Sequence, residues 1–185
     1  ASSEELGRRL AINPEQIRKD LAFFGQFGKK GVGYYVAELK ESIGGILGLD
    51  QHWNVAIIGM GHLGAALANY QGIARLGFRL AAIFDANPVV IGTRVGERRV
   101  EDIAYLAEII AERDIRIGVI AVPAAAAQGV ADKLVAAGIR GIWNFAPVSL
   151  QVPPHIPFVS EDLSVGLSSL SYYLSHVSPD PNELS

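Results

Sequence analysis

The residues best suited to chemistry form one short run, Gly59-Met60-Gly61-His62-Leu63-Gly64, with a carboxylate further on at Asp85. Glycines at the first, third and sixth places of such a run have separate tasks. The first permits a tight turn, the second lets the backbone approach a pyrophosphate, and the third lets a helix pack closely on a strand. The helix that follows presents unpaired N–H groups and the positive end of its dipole to an anion. Asp85 comes about 20 residues after the last glycine, where an acidic side chain accepts hydrogen bonds from the adenosine ribose. A carboxylate there repels a 2′-phosphate. The pattern therefore predicts binding of NADH and NAD+, with Met60, His62 and Leu63 beside the same ligand.

Two more strand ends are expected to complete the site. Ala121-Val122-Pro123 stops an apolar strand against a helix start of small residues, which leaves room for a flat ligand. Asn144-Phe145-Ala146-Pro147 sets an amide, a ring and a rigid turn where the nicotinamide is expected. The alternative reading makes Asn144 a turn former and Phe145 a core ring, since Asn and Pro commonly build turns. A hydride-transfer enzyme needs an acid or base near the nicotinamide and a substrate pocket, usually in a second domain. His52, His62, His155 and His176 occupy no convincing catalytic position, and only residues 148–185 follow Pro147. The expectation is a protein that is not an enzyme. A small NAD-dependent dehydrogenase and a CoA-binding domain of the ligase type are the alternatives, and Asp85 weighs against the second.

The elements that must position these residues alternate between strand and helix. Strands are predicted at Asn54–Ile58, Arg79–Asp85, near Val95 or Val100, at Ile117–Val122, Gly141–Asn144 and Phe158–Val159. Helices are predicted at Leu63–Tyr70, Ile103–Arg113 and Ala124–Ala137. Right-handed crossovers would gather all these strands into one parallel sheet, with ligand at their carboxyl ends. This is an α/β, Rossmann-type domain, assigned to residues 50–160.

A different kind of sequence precedes it, in residues 1–49. Ser2 and Glu5 suit a capping box, and Asn13-Pro14 starts a second helix whose apolar face is Ile17, Leu21 and Phe24. Gln16, Arg18 and Lys19 project away from that face. Between Gly25 and Val36, aromatic and β-branched residues flank a glycine-lysine tip at Lys29 and Lys30, which predicts a β-hairpin with two cations at its turn. A helix-turn-helix followed by a basic wing makes a winged helix, expected to read double-stranded DNA with Gln16, Arg18 and Lys19 and to touch phosphates or a minor groove with Lys29 and Lys30. The domain is read as truncated, because the further helix on which such a unit rests is missing. A third helix is predicted from Val36 to Leu47.

Net charge is −3, although residues from Arg8 to Val36 are locally basic. The chain has no cysteine, which excludes disulfides, thiolate zinc sites and iron–sulfur clusters, and no metal site is expected. No apolar run reaches about 18 residues, so the expectation is a cytoplasmic protein without a membrane partner. The last segment, residues 161–185, is predicted to hold a helix from Asp162 to Val177. Leu163, Leu167, Leu170 and Leu174 lie along it at spacings suited either to ordinary packing or to a two-fold contact between copies. Asp162 is expected to cap that helix or to serve as a switchable polar partner.

Taken together, the sequence resembles the Rex redox-sensing transcriptional repressors of bacteria. The resemblance rests on Gln16-Ile-Arg-Lys-Asp-Leu21 with Phe24-Gly25, Gly28-Lys-Lys-Gly-Val-Gly-Tyr34, Gly59-Met-Gly-His-Leu-Gly64, Asn144-Phe-Ala-Pro147 and Asp162-Leu-Ser-Val, and it covers nearly the whole chain. It implies a homodimer of winged helices on Rossmann domains, each with a C-terminal helix swapped onto the other subunit. It also implies that NADH lowers operator affinity, so that genes for fermentation and alternative respiration are released as the NADH/NAD+ ratio rises. Some members carry phenylalanine where this chain has Leu163. Within that picture Val122, Pro123, Phe145, Ala146 and the partner's Leu163 would desolvate the nicotinamide and so penalise its cationic, oxidised form.

Overall fold

Local capping sets the start of each N-terminal helix. The structure is a computed structural model and describes residues 1–29, 31–49 and 51–176. Helix α1, Ser3–Leu10, begins where the Ser2 hydroxyl accepts the Glu5 N–H at 3.1 Å, and it ends at Ala11 in the left-handed region. Helix α2, Pro14–Phe24, begins where the Asn13 side-chain oxygen accepts the Glu15 N–H at 2.8 Å, with proline in its first turn. Ile17 is buried and Leu21 half-buried, whereas Phe24 is exposed. Helix α3 spans Val36–Ile46.

The hairpin expected between Gly25 and Val36 is not formed as strands. A single antiparallel bridge, Lys29 to Gly33, takes its place. Gly25, Gly28, Gly31 and Gly33 all have positive φ, which breaks an extended ladder and leaves a tight basic turn. Lys30 lies outside the described residues.

The chain divides into two compact units, Ala1–His52 and Trp53–Ser185. In the second, β1 (Trp53–Ile58) is followed by α4 (His62–Ala68), α5 (Gln71–Arg75), β2 (Phe78–Asp85), β3 (Arg94–Val95) and β4 (Arg98–Asp102). A 3-10 turn at Ile103–Tyr105 then leads into α6 (Leu106–Glu112), β5 (Ile115–Ile120), α7 (Ala124–Ala136), β6 (Gly141–Asn144), β7 (Phe158–Ser160) and α8 (Val165–His176). The seven strands lie in the order β3-β4-β2-β1-β5-β6-β7.

The central strands are buried on both faces, as a parallel sheet covered by crossovers requires. Val55–Ile58, Ala81–Phe84 and Val119–Ile120 are all buried. One face packs Ile58, Phe84, Leu106, Ile110 and Leu134 into the larger core. The other gathers Val55, Ile57 and Val119 with half-buried Leu67, Phe78, Trp143 and Phe145.

Four expectations change in detail. The sheet is not wholly parallel, because β3 turns back on β4 through Gly96 and pairs antiparallel at the edge. The helix expected over Leu63–Tyr70 stops at Ala68, and α5, which was not expected, follows. The apolar strand expected at Ile117–Val122 runs from Ile115 to Ile120. The last helix begins at Val165 rather than Asp162, and its expected end at Val177 lies outside the described residues.

Candidate dinucleotide cleft and helix-turn-helix

The carboxyl ends of β1, β2 and β5 open into a cleft of about 620 Å3. Its floor is the glycine loop. Gly59 adopts a φ of +101°, and a Cβ there would meet the Ala121 carbonyl. A Cβ on buried Gly64 would overlap the Gly59 carbonyl, so the first turn of α4 can sit close to β1 only because this residue has no side chain. Above Gly61 the space is empty within 4 Å. That emptiness is what a ligand approaching the backbone needs.

Asp85 ties this loop to the end of β2. One carboxylate oxygen accepts the Met60 N–H at 2.6 Å and the other accepts the Asn87 N–H at 2.7 Å. A carboxylate has about four lone-pair sites, so two remain for the hydroxyls of a ribose. The same residue can therefore hold the loop and face a ligand.

Of the residues singled out in the sequence, Gly59, Met60, Gly61, His62, Asp85, Val122 and Pro123 line the cleft. Sequence reasoning missed Asn87, Val90, Ile103, Ala126 and Val130, which also line it. Val90 sits in a turn held by Asn87, and Ile103 opens the 3-10 turn after β4. No local pattern marks either residue.

Other expected site residues lie elsewhere. Asn144 is fully buried, and its amide N–H groups face the Ala146 carbonyl at 3.0 Å, the Val148 carbonyl at 3.2 Å and the Ser160 hydroxyl at 3.1 Å. Its amide oxygen accepts the Ala146 N–H at 3.0 Å. Those bonds exhaust its donors, so Asn144 builds the turn after β6 and does not reach into the cleft. Ala146 is likewise a core residue, packed with Ile142 and Ile156. Phe145 points to the opposite face and packs on Trp143 with ring centroids 4.5 Å apart. Leu63 is half-buried on α4 and Leu163 is exposed ahead of α8; neither lines the cleft.

Asp162 precedes α8 and accepts hydrogen bonds from the Ser164 hydroxyl and backbone N–H, which hold its carboxyl below the usual range. It stays ionised through neutral pH, so any exchange of its partners would be geometric rather than protonic. Leu167, Leu170 and Leu174 on α8 are all exposed. Among the described residues no group of three histidine or acidic side chains stands close enough to hold a metal ion, and no helix is long and apolar enough to cross a membrane.

In the N-terminal unit, Gln16, Arg18 and Lys19 are exposed on α2. Each already has an acidic neighbour: Gln16 donates to Asp20 at 2.6 Å, Arg18 meets Glu4 of α1 at 3.3 Å, and Lys19 meets Glu15 at 3.2 Å. Exposed pairs of this kind contribute little and exchange readily. Lys29 lies at the bridge, 6.0 Å from the centre of the Tyr35 ring.

Residues 50–148 match the CoA binding domain family. The redox-sensing transcriptional repressor Rex of Chloroflexus aurantiacus is 48% identical over 94% of this chain and 82% of its own length. The chain belongs to the Rex family. The Rex protein of Clostridium perfringens is 46% identical over 95% of the chain. Among solved structures, RSP bound to β-NAD+ and operator DNA has a TM-score of 0.90 and 43% identity, covering 95% of this chain and 81% of that one. RSP bound to β-NADH has a TM-score of 0.83 at 41% identity, covering 95% and 82%. Rex membership also sets aside the dehydrogenase alternative, since these relatives are named as repressors and not as enzymes.

Proposed function

We propose that this chain is a transcriptional repressor that reads the NADH/NAD+ ratio, binds palindromic operator DNA as a homodimer and leaves it when NADH binds. The observation that carries this reading is the pairing, in one Rex chain, of an open glycine-loop cleft bearing Asp85 with a helix-turn-helix bearing a basic turn. The adenosine ribose would sit on Asp85, the diphosphate over Gly61, and the adenine toward Val90 and Ile103. RSP, its structural relative, is known with both nucleotides and with operator DNA, which supports the assignment. The working compartment would be the cytoplasm, where operator and nucleotide pool meet. A gel-shift on a palindromic operator, titrated with NADH at fixed NAD+, tests the proposal. DNA release that follows the ratio is expected, and binding indifferent to NADH would refute it.

Discrimination between the two nucleotides would come from desolvation. Val122 and Pro123 are the apolar residues of the expected nicotinamide wall that do line the cleft, and an apolar wall penalises the cationic ring. Introducing a carboxylate by V122D should narrow the NADH/NAD+ affinity gap about tenfold, a change of about 1.4 kcal/mol. Calorimetry giving an unaltered ratio would remove Val122 from this role.

The homodimer is supported by two unmatched apolar surfaces. The exposed leucines of α8 are one. The other is a groove of about 460 Å3 on the second unit, lined by Tyr70, Ile73, Leu76, Trp143 and Val159. A second copy's α8 would cover it, and large exposed apolar patches commonly mark such contacts.

On DNA, Gln16, Arg18 and Lys19 would trade their acidic neighbours for bases and phosphates, while Lys29 and Lys30 would meet the backbone or a minor groove. K29A should flatten the slope of log affinity against log salt by about one unit. A slope matching the wild type would show that Lys29 touches no phosphate.

A further inference from the structure

In the N-terminal unit, a cavity of about 430 Å3 lies between the start of α1, helix α2 and the basic turn. Bonds between distant parts of the chain hold its walls. The Tyr34 N–H donates to the Ala1 carbonyl at 2.7 Å, and the hydroxyls of Tyr34 and buried Ser3 stand 3.1 Å apart. The basic turn is thereby fixed against the first residues of α1. Among the described residues, three charged side chains line the cavity: Glu4 from α1, Arg18 from α2 and Lys29 from the turn. Two cations against one carboxylate leave a positive charge in excess. Arg18 meets Glu4 at 3.3 Å. The other acidic neighbours on α2 are of a different kind, since Gln16 with Asp20 and Lys19 with Glu15 are pairs one turn apart on a single helix. The Arg18–Glu4 pair joins two helices at a cavity that a third element, the basic turn, also lines.

Excess positive charge beside a guanidinium suits a singly charged oxyanion, which arginine binds through charge-assisted hydrogen bonds. In a DNA-binding unit that anion is a phosphodiester of the duplex backbone. We propose that this cavity takes one backbone phosphate, held by Arg18 and Lys29 together, and that Glu4 is an internal competitor for Arg18 which the phosphate must displace. The inference rests on the DNA-binding reading and adds a restraint to it. Phosphates carry no sequence information directly, so Glu4 lowers affinity for operator and unrelated duplex by the same factor. It sets the strength of DNA binding and leaves sequence preference alone. Exposed ion pairs put the scale at about two- to fivefold for each copy on DNA, or about four- to twenty-five-fold for a duplex held by two copies.

Fluorescence anisotropy at low salt, with a labelled palindromic operator and a labelled duplex of scrambled sequence, tests this. E4Q should bind both duplexes about four- to twenty-five-fold more tightly than the wild type. Glu5 pairs with Arg9 on the same turn of α1 and does not line the cavity, so E5Q should change either affinity by less than about twofold. Most of the gain from E4Q should vanish in an R18Q background, because Glu4 acts through Arg18. An E4Q protein that binds no more tightly than the wild type overturns the proposal and leaves the DNA-binding reading standing. So does a gain confined to the operator, a gain matched by E5Q, or one that persists in full without Arg18. A wild type that binds neither duplex removes the DNA-binding reading together with the proposal.

Discussion

Replacing Gly61 with valine should leave the fold intact and make the repressor deaf to NADH. The residue has an extended backbone, with φ −73° and ψ −170°, which any side chain tolerates. A Cβ there meets no atom within 4 Å, so the substitution should change stability by no more than about 0.5 kcal/mol. The added methyls would instead occupy the space where a diphosphate must approach the loop. A G61V protein should therefore melt like the wild type and stay on its operator at NADH concentrations that empty the wild-type complex. Gly64 provides the contrast. Its substitution by alanine drives a Cβ into the Gly59 carbonyl and should cost about 1–3 kcal/mol of stability whatever the cofactor. Thermal melts beside fluorescence anisotropy of labelled operator separate the two effects. A G61V protein released by NADH as readily as the wild type would show that the cofactor does not cross this loop.

The second large effect is expected at Asn144. Aspartate matches its shape but lacks the N–H groups that face the carbonyls of Ala146 and Val148. At neutral pH N144D would bury an ionised carboxylate against two carbonyl oxygens. The expected cost is about 3 kcal/mol or more, lowering the melting temperature by about 10 °C. The pH dependence follows from linkage. Burial and the facing carbonyls raise the folded-state pKa of the new carboxyl above its unfolded value, so the folded form binds the extra proton. The variant is least impaired below the unfolded pKa, and its loss grows as pH rises through the folded one. If Asn144 instead contacted the nicotinamide, N144D would spare the melt and alter NADH affinity. The melting curve decides between these roles.

The glycine loop and Asp85 were legible from sequence because a turn, a close approach and a packed helix admit few residue types at fixed spacing. Alternation of strand and helix gave the sheet for the same kind of reason. Asn144 stood open between turn former and ligand contact because a polar residue after a strand looks alike in either role; its burial and bonds here are those of a turn former. Ala146, expected beside the nicotinamide, is packed in the core. The basic turn was overdrawn as a hairpin because Phe27, Tyr34 and Tyr35 favour strands, while the positive φ of four glycines acts against pairing. Helix α5 escaped notice because Gln71–Arg75 has no side-chain cap and contains Gly72. Val90 and Ile103 reach the cleft through tertiary placement that no local period records.

The account depends on a coupling free energy between cleft and DNA, and such coupling is reciprocal. NADH affinity measured by calorimetry with and without saturating operator duplex tests it most directly. NADH should bind more weakly to the DNA complex than to the free protein, by the same factor with which NADH weakens operator binding. Equal affinities in the two states would contradict the account, because a ligand that does not distinguish DNA-bound from free repressor cannot drive its release.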